Sequence, residues 1–270
     1  MKLITLDREY LKSVKRVVVK SGTSNLTNEQ SRLDSSRVKN FVEQLMALKK
    51  LGKDVIVVTS GAIGAGIGRM NLPHRPSEIS KLQAAAAIGQ GILMQTYEHY
   101  FEKYKQPIAQ ILLTKDDFTN SHRYENLKHT LETLIGWGVI PIINENDTVA
   151  VDEIKVGDND TLAAYVSIGV GAELLIILTD VDGLYTENPS ESKGGQLIKL
   201  VEEVTPEVES LASRAGKGFG GMYTKVQAAK KLSEAGIATV IVNGSKRGIL
   251  CSVIRGEDVG TLFLPKRCKT

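Results

Sequence analysis

Six short runs of apolar residues punctuate the chain: VVVK at 17–20, VIVVTS at 55–60, IAQILLT at 108–114, VIPIIN at 139–144, LLIILTD at 174–180 and TVIVN at 239–243. Their apolar character is continuous rather than alternating, the pattern of strands covered by helices on both faces. Between the first two runs, Val38, Phe41, Val42, Leu45 and Leu48 recur at helical spacing, with Asp34, Ser35 or Ser36 available as a cap, so a crossover helix is expected there. Further helices are expected at about 80–103, 121–136, 160–171 and 224–235, the last stopped by Gly236 in a left-handed conformation. Repeated strand–helix units predict an α/β three-layer sandwich, an open and mostly parallel central sheet with helices on both faces. The whole of 1–270 is read as a single domain. The polar stretch at 144–160 separates the first four strands from the last two, which divides the domain into approximate lobes, 1–160 and 161–270.

Hydrophobic residues at 42% and charged residues at 24% are ordinary globular usage, which argues against wholesale disorder or a collagen-like rod. The formal charge of +3 comes without a dense basic run, so nucleic acid is not an expected partner. Cys251 and Cys268 are too few and too late in the chain for a disulfide framework, and neither lies in a CxxC pattern; a reducing compartment fits. Asp7, Arg8 and Glu9 interrupt what a secretory leader would keep apolar, and no later apolar stretch approaches about 18 residues. The expectation is a soluble, cytoplasmic protein without membrane contact.

In open α/β sheets ligands gather beyond the carboxyl ends of the strands, so the residues just after each apolar run carry the chemistry. Here they are Lys20-Ser21-Gly22-Thr23-Ser24, Ser60-Gly61 followed by glycines to Gly68, Asn144-Glu145-Asn146-Asp147, and Thr179-Asp180. Glycine-rich turns around Gly22 and around 61–68 are candidate anion cradles, since backbone N–H groups and a following helix start both favour negative charge. The bland reading is that these glycines only permit tight turns. Gly216, Gly218 and Gly221 formally satisfy GxGxxG, but polar sequence rather than a strand precedes them, so this is no dinucleotide fingerprint, and no GxxxxGK[ST] exists. Lys225 is expected in the first turn of the 224–235 helix, where a cation opposes the helix dipole unless an anion sits there; a solvated surface lysine is the ordinary alternative. Asp160 reads equally as a plain N-cap. The 157–160 stretch lacks the oxygen spacing of a calcium loop, and His74, His99, His122 and His129 show no metal spacing, so no protein metal site is expected. Trp137 and Ala84–Ala87 read as packing, and Lys115, Asp116 and Asp117 as a polar loop.

Taken together, KSGTS, VTSGAIGAG, INEND, IKVGDND, LLTDVDGLYTENP and GFGGMYTK, in that order from about residue 16 to residue 265, resemble the amino acid kinase family. The resemblance implies transfer of the ATP γ-phosphoryl group to the side-chain carboxylate of L-glutamate, the first step towards proline. N-acetylglutamate, UMP and aspartate are the acceptors of the rival family members. It implies Lys20 and Lys225 as the lysines flanking the transferred group and Asp160 as the aspartate orienting both. It implies Ser60, Gly61, Asn144, Asp147 and Asn159 as acceptor-binding residues. For ATP it implies Lys20, Gly22, Thr179, Asp180, Phe219, Gly220, Gly221, Met222, Tyr223, Thr224 and Lys225. On this resemblance 1–160 becomes the acceptor side and 161–270 the ATP side. Mg2+ carried by ATP, feedback inhibition by proline and a dimeric or tetrameric assembly are further implications. Many bacterial relatives add a C-terminal PUA domain that this sequence does not show. Ser21, Phe219 and Tyr223 depart from the residue types usual at their positions.

Overall fold

Each of the six apolar runs forms a strand. The structure, a computed structural model, describes residues 8–150, 159–187, 194–214 and 221–266. In chain order its elements are α1 (Tyr10–Ser13), β1 (Arg16–Ser21), α2 (Ser35–Lys50), β2 (Asp54–Val58), α3 (Ala62–Arg69), α4 (Ile79–Glu102), β3 (Ile108–Leu113), α5 (Asp116–Thr119), α6 (Ser121–Gly136) and β4 (Ile140–Glu145). After these come α7 (Asp160–Gly169), β5 (Leu174–Thr179), β6 (Leu200–Val201), α8 (Pro206–Arg214), α9 (Met222–Glu234), β7 (Ala238–Asn243), α10 (Ile249–Ile254) and β8 (Thr261–Phe263).

The strands make one eight-stranded sheet in the order β3-β4-β2-β1-β5-β7-β8-β6. All neighbours are parallel except β7 and β8. The first four strands occupy one half of the sheet and the last four the other. Side chains alternate across it, as the two-residue period of a strand requires. Val17 and Val19 face a core shared with α1, α2, α4 and α10, whereas Val18 faces a core shared with α6, α7, α8 and α9. β2 and β5 divide in the same way, with Val55, Val57, Ile176 and Leu178 on the first side and Ile56, Val58, Leu175 and Ile177 on the second. Two cores on opposite faces explain why the runs read as continuously apolar.

Local signals set most helix boundaries. The Asp34 carboxylate caps α2, accepting from the backbone N–H of Ser36 at 2.9 Å and of Arg37 at 3.3 Å. Gly236, at φ +77°, ends α9. That helix begins at Met222, two residues earlier than its hydrophobic pattern suggests.

Five features depart from the sequence-based expectation, one of them Trp137, which is 74% exposed rather than packed. The glycine-rich segment after Gly61 is a helix, α3, rather than an open cradle, and its Gly66 serves close packing on α4. A Cβ on Gly66 would stand 1.9 Å from the Ala85 carbonyl oxygen, and one on Gly89 would stand 1.8 Å from that of Ala62. Gly22 is followed by a single 3-10 turn, Thr23–Asn25, rather than an α-helix, so no helix dipole points at it. Asp116 and Asp117 open the short α5 instead of lying in a loop. The edge strand β6 and its inner neighbour β8 are too short to leave a hydrophobic signature, and β8 adds the antiparallel pair.

Candidate active site

Lys20 is the last but one residue of β1 and shares the parity of Val18, which turns it toward the face carrying α7 and α9. Asp160, the first residue of α7, is fully buried there. Its two oxygens are divided between two lysines: Lys20 Nζ lies 2.7 Å from Oδ1, and Lys225 Nζ lies 3.0 Å from Oδ2. The Thr224 hydroxyl stands 2.9 Å from the same Oδ2 and 2.9 Å from the Gly221 carbonyl, two acceptors for its one proton. Lys225 is therefore a buried cation, 7% exposed at its side chain, and not the solvated surface lysine that its sequence position allows. Nor is Asp160 an ordinary cap. The cap position belongs to Asn159, whose side chain makes no cap hydrogen bond.

Asn159 ties this charged cluster to the ends of two further strands. Its Nδ2 donates to the Thr59 carbonyl and to Asn144 Oδ1 at 2.9 Å, and stands 3.2 Å from Ser60 Oγ. Asn144 in turn donates to Gln90 Oε1 on α4 at 2.9 Å. Behind them the Thr59 hydroxyl is 2.8 Å from the hydroxyl of the fully buried Tyr97, whose phenol is pushed above its ordinary value by burial. Gly61, at φ +107°, makes the left-handed turn from β2 into α3, a conformation that favours glycine.

A small pocket opens over this network. Ser60, Gly61, Asn144, Asp147 and Asn159, the five expected acceptor residues, all line it. So do Thr23, Arg75 and Glu145, none of which the sequence singled out as a ligand contact. Thr23 and Glu145 stood at strand ends and could have been chosen on that ground. Arg75 could not, because it lies in the connector between α3 and α4, away from any strand terminus.

On the other half of the sheet, Thr179 ends β5 beside Asn243 of β7. The Thr179 hydroxyl donates to Asp180 Oδ1 at 3.1 Å, and Asn243 Nδ2 donates to the Asp180 carbonyl at 3.2 Å. Met222 packs into the core under α9, whereas Tyr223 is 44% exposed. Phe219 and Gly220 lie outside the described residues, as do Gly216 and Gly218 and residues 151–158 of the acceptor loop. Gly22 would place a Cβ 3.7 Å from Lys20 Nζ, ordinary contact, so it carries no steric demand for glycine. Ser21, of opposite parity to Lys20, is fully buried. It lines a separate cavity of about 810 Å³ between α2 and α10, which Asn25, Arg37, Asp180, Asn243 and Arg247 also line. Among the described residues no group of three or more His, Cys, Asp or Glu is arranged to hold a metal ion, and no helix is long and apolar enough to cross a membrane.

Residues 15–243 match the sequence profile of the amino acid kinase family. The chain is similar to the glutamate 5-kinase of Caldanaerobacter subterraneus subsp. tengcongensis, 50% identical over 254 residues that cover 93% of this chain and 68% of the relative. It is also similar to that of Clostridium tetani, 50% identical over 258 residues, covering 95% and 97% of the two chains. Among solved structures it resembles the UMP kinase of Bacillus anthracis at a TM-score of 0.63, covering 94% and 97% of the two chains. At 15% identity that likeness speaks to the fold alone.

Proposed function

The chain belongs to the amino acid kinase family, and from that premise we propose that it transfers the γ-phosphoryl group of ATP to the side-chain carboxylate of L-glutamate, giving L-glutamyl 5-phosphate, the first step of proline biosynthesis. The observation that carries the reading is the pair of buried lysines on one aspartate, set beside a pocket whose wall holds two carboxylates.

Phosphoryl transfer needs alignment and neutralisation of charge on the transferred group more than it needs covalent help. An acceptor carboxylate is ionised at neutral pH and requires no base to attack. One of its oxygens bonds to the γ-phosphorus while the bond to the bridging oxygen breaks and ADP leaves. Lys20 and Lys225 meet the negative charge from two sides, and Asp160 holds both ammonium groups in register before substrate arrives. The site is nearly dry, so these charges act with little solvent screening. Ser60, Gly61, Asn144, Asp147 and Asn159 hold the acceptor, with Asp147 answering its ammonium group. Gly22, Thr179, Asp180 and the 219–225 stretch hold the nucleotide. This assigns 1–160 to the acceptor side and 161–270 to the ATP side of a single domain.

Magnesium would neutralise the ATP phosphates when bound. Asp180 is the carboxylate within the proposed nucleotide set, and phosphate oxygens and water would supply the ion's other ligands. A cytoplasmic enzyme, assembled as a dimer or tetramer and inhibited by proline at the glutamate pocket, completes the proposal. An ADP-release assay with Mg-ATP tests it against L-glutamate, N-acetylglutamate, aspartate and UMP. Turnover with L-glutamate in clear preference to the other three is the expected result, and preference for any of the others overturns it.

A further inference from the structure

Among the described residues, three charged side chains line the acceptor pocket, two of them anions and one a cation: Glu145, Asp147 and Arg75. Resting on the reading of L-glutamate as the acceptor, the substrate brings two carboxylates and one ammonium group. Its reacting carboxylate must lie toward Lys20 and Lys225, and its ammonium group is served by Asp147. The α-carboxylate is then left among described lining residues of which Glu145 and Asp147 are anions and offer it no counter-charge. Arg75 is the one cation among the described residues that line the pocket, and none of the hydrogen bonds or ion pairs of the described residues occupies its guanidinium.

The location of Arg75 is fixed by packing rather than by its own contacts. Its connector spans the ends of α3 and α4, which approach so closely at Gly66 and Gly89 that neither site has room for a methyl group. That hairpin starts at Gly61, itself a wall of the pocket, so the connector and the strand end are held as one piece. A guanidinium placed there can meet a carboxylate with two parallel N–H donors, a geometry that lysine cannot reproduce.

We infer that Arg75 binds the α-carboxylate of the acceptor and thereby makes the pocket select a free α-amino acid over its α-amide. The pairing with Asp147 is reciprocal: one side chain reads the ammonium group and the other the carboxylate on the same carbon.

The test compares L-glutamate with L-isoglutamine, the α-amide that retains the ammonium group and the reacting carboxylate, in the full chain with Mg-ATP. Isoglutamine is followed as a substrate or, where its turnover is too slow, as a competitive inhibitor. Arg75→Gln should raise KM for L-glutamate about tenfold or more, the scale of one charge-assisted hydrogen bond. It should leave KM for ATP and the constant for isoglutamine unchanged, so that discrimination between the two acceptors collapses. Arg75→Lys should restore part of it. Equal weakening of both acceptors, or an unchanged KM for L-glutamate in Arg75→Gln, overturns the assignment. Wild-type protein that releases no ADP with L-glutamate overturns the acceptor reading itself and the Arg75 assignment with it, which separates the two failures.

Discussion

Lys20 and Lys225, from the first strand and the ninth helix, meet on opposite oxygens of a single buried carboxylate, that of Asp160. The three side chains are almost sealed from solvent, at 5%, 7% and 0% exposure. Among the described side chains two cations share one anion, an excess of positive charge in a dry place. That is costly to bury alone and suited to receiving a phosphoryl group.

The lysine pair should therefore be coupled in stability as well as in catalysis. Lys20→Met or Lys225→Met should each lower turnover by about 10²–10³, the scale of losing one donor to a developing anion. Each single variant still leaves Asp160 a cation. The double variant leaves the buried carboxylate neither lysine, and breaking a buried ion pair costs roughly 3–5 kcal/mol. Its loss of stability in urea should exceed the sum of the singles by about 0.5–3 kcal/mol. Near-normal turnover in both single variants would remove the lysines from the mechanism, and strictly additive stabilities would contradict the shared carboxylate.

Two glycines two residues apart in α4 should respond in opposite directions to the same substitution. Gly89→Ala drives a methyl group into the Ala62 carbonyl, whereas a Cβ at Gly91 meets nothing within 4 Å. Overpacking against backbone should cost Gly89→Ala about 1–3 kcal/mol or more. Gly91→Ala should gain about 0.5–1 kcal/mol from helix propensity alone. Because Ala62 directly follows Gly61, Gly89→Ala should also raise KM for glutamate. Thermal melts of the two variants check the contrast, and shifts of the same sign at both sites would refute the close approach of α3 and α4.

The same helix pair shows where sequence reasoning stopped. Continuous apolar runs revealed the strands, and their carboxyl ends marked Lys20, Ser60, Asn144 and Thr179 as candidates, because those properties are local. A row of glycines after Ser60 is compatible with a phosphate cradle or with a helix pressed on a neighbour. Only the distant Gly89 decides between them. The burial of Lys225 was hidden for a similar reason, since its partner Asp160 lies on another helix. Arg75 was invisible because its connector bears no strand-end signature. β8 is three residues long and pairs antiparallel, so neither length nor periodicity announced it.

The cap of α2 should give the fold an acid-sensitive element. The Ser36 hydroxyl, above all, holds the Asp34 carboxyl below its ordinary value of 3.8, with the backbone N–H groups of Arg37 and Ser36 and the Arg37 charge adding to it against an opposing push from burial. A depressed folded value means that the unfolded chain takes up the proton first as pH falls. The stabilisation is thus complete above the unfolded value and is lost as pH drops through the folded one. Asp34→Ala should cost about 1 kcal/mol near neutral pH. The gap between its urea midpoint and that of the wild type should narrow as pH is lowered below 3.8. Asp34→Asn, which caps without titrating, should stay close to the wild type near neutral pH. A gap for Asp34→Ala that is constant across the acid range would contradict the role of the charge.

Asp147 offers the sharpest discrimination between acceptor chemistry and general damage. It lines the pocket just past the end of β4, in the half of the sheet built from the first four strands, while Thr179 and Asp180 stand at the end of β5 in the other half. Removing its charge should leave the nucleotide's surroundings unchanged. If it faces the ammonium group, Asp147→Ala loses a charge-assisted hydrogen bond of about 1.5–3 kcal/mol. That corresponds to a rise of about tenfold to a hundredfold in KM for L-glutamate with little change in KM for ATP. The penalty should be absent for N-acetyl-L-glutamate, whose amide nitrogen carries no charge, so the variant should narrow the difference between the two acceptors. Initial rates with each acceptor at saturating ATP, and with ATP at saturating glutamate, supply the four constants. A parallel rise in the constants for glutamate and ATP would mean that Asp147 supports the site as a whole, and the ammonium assignment would fail.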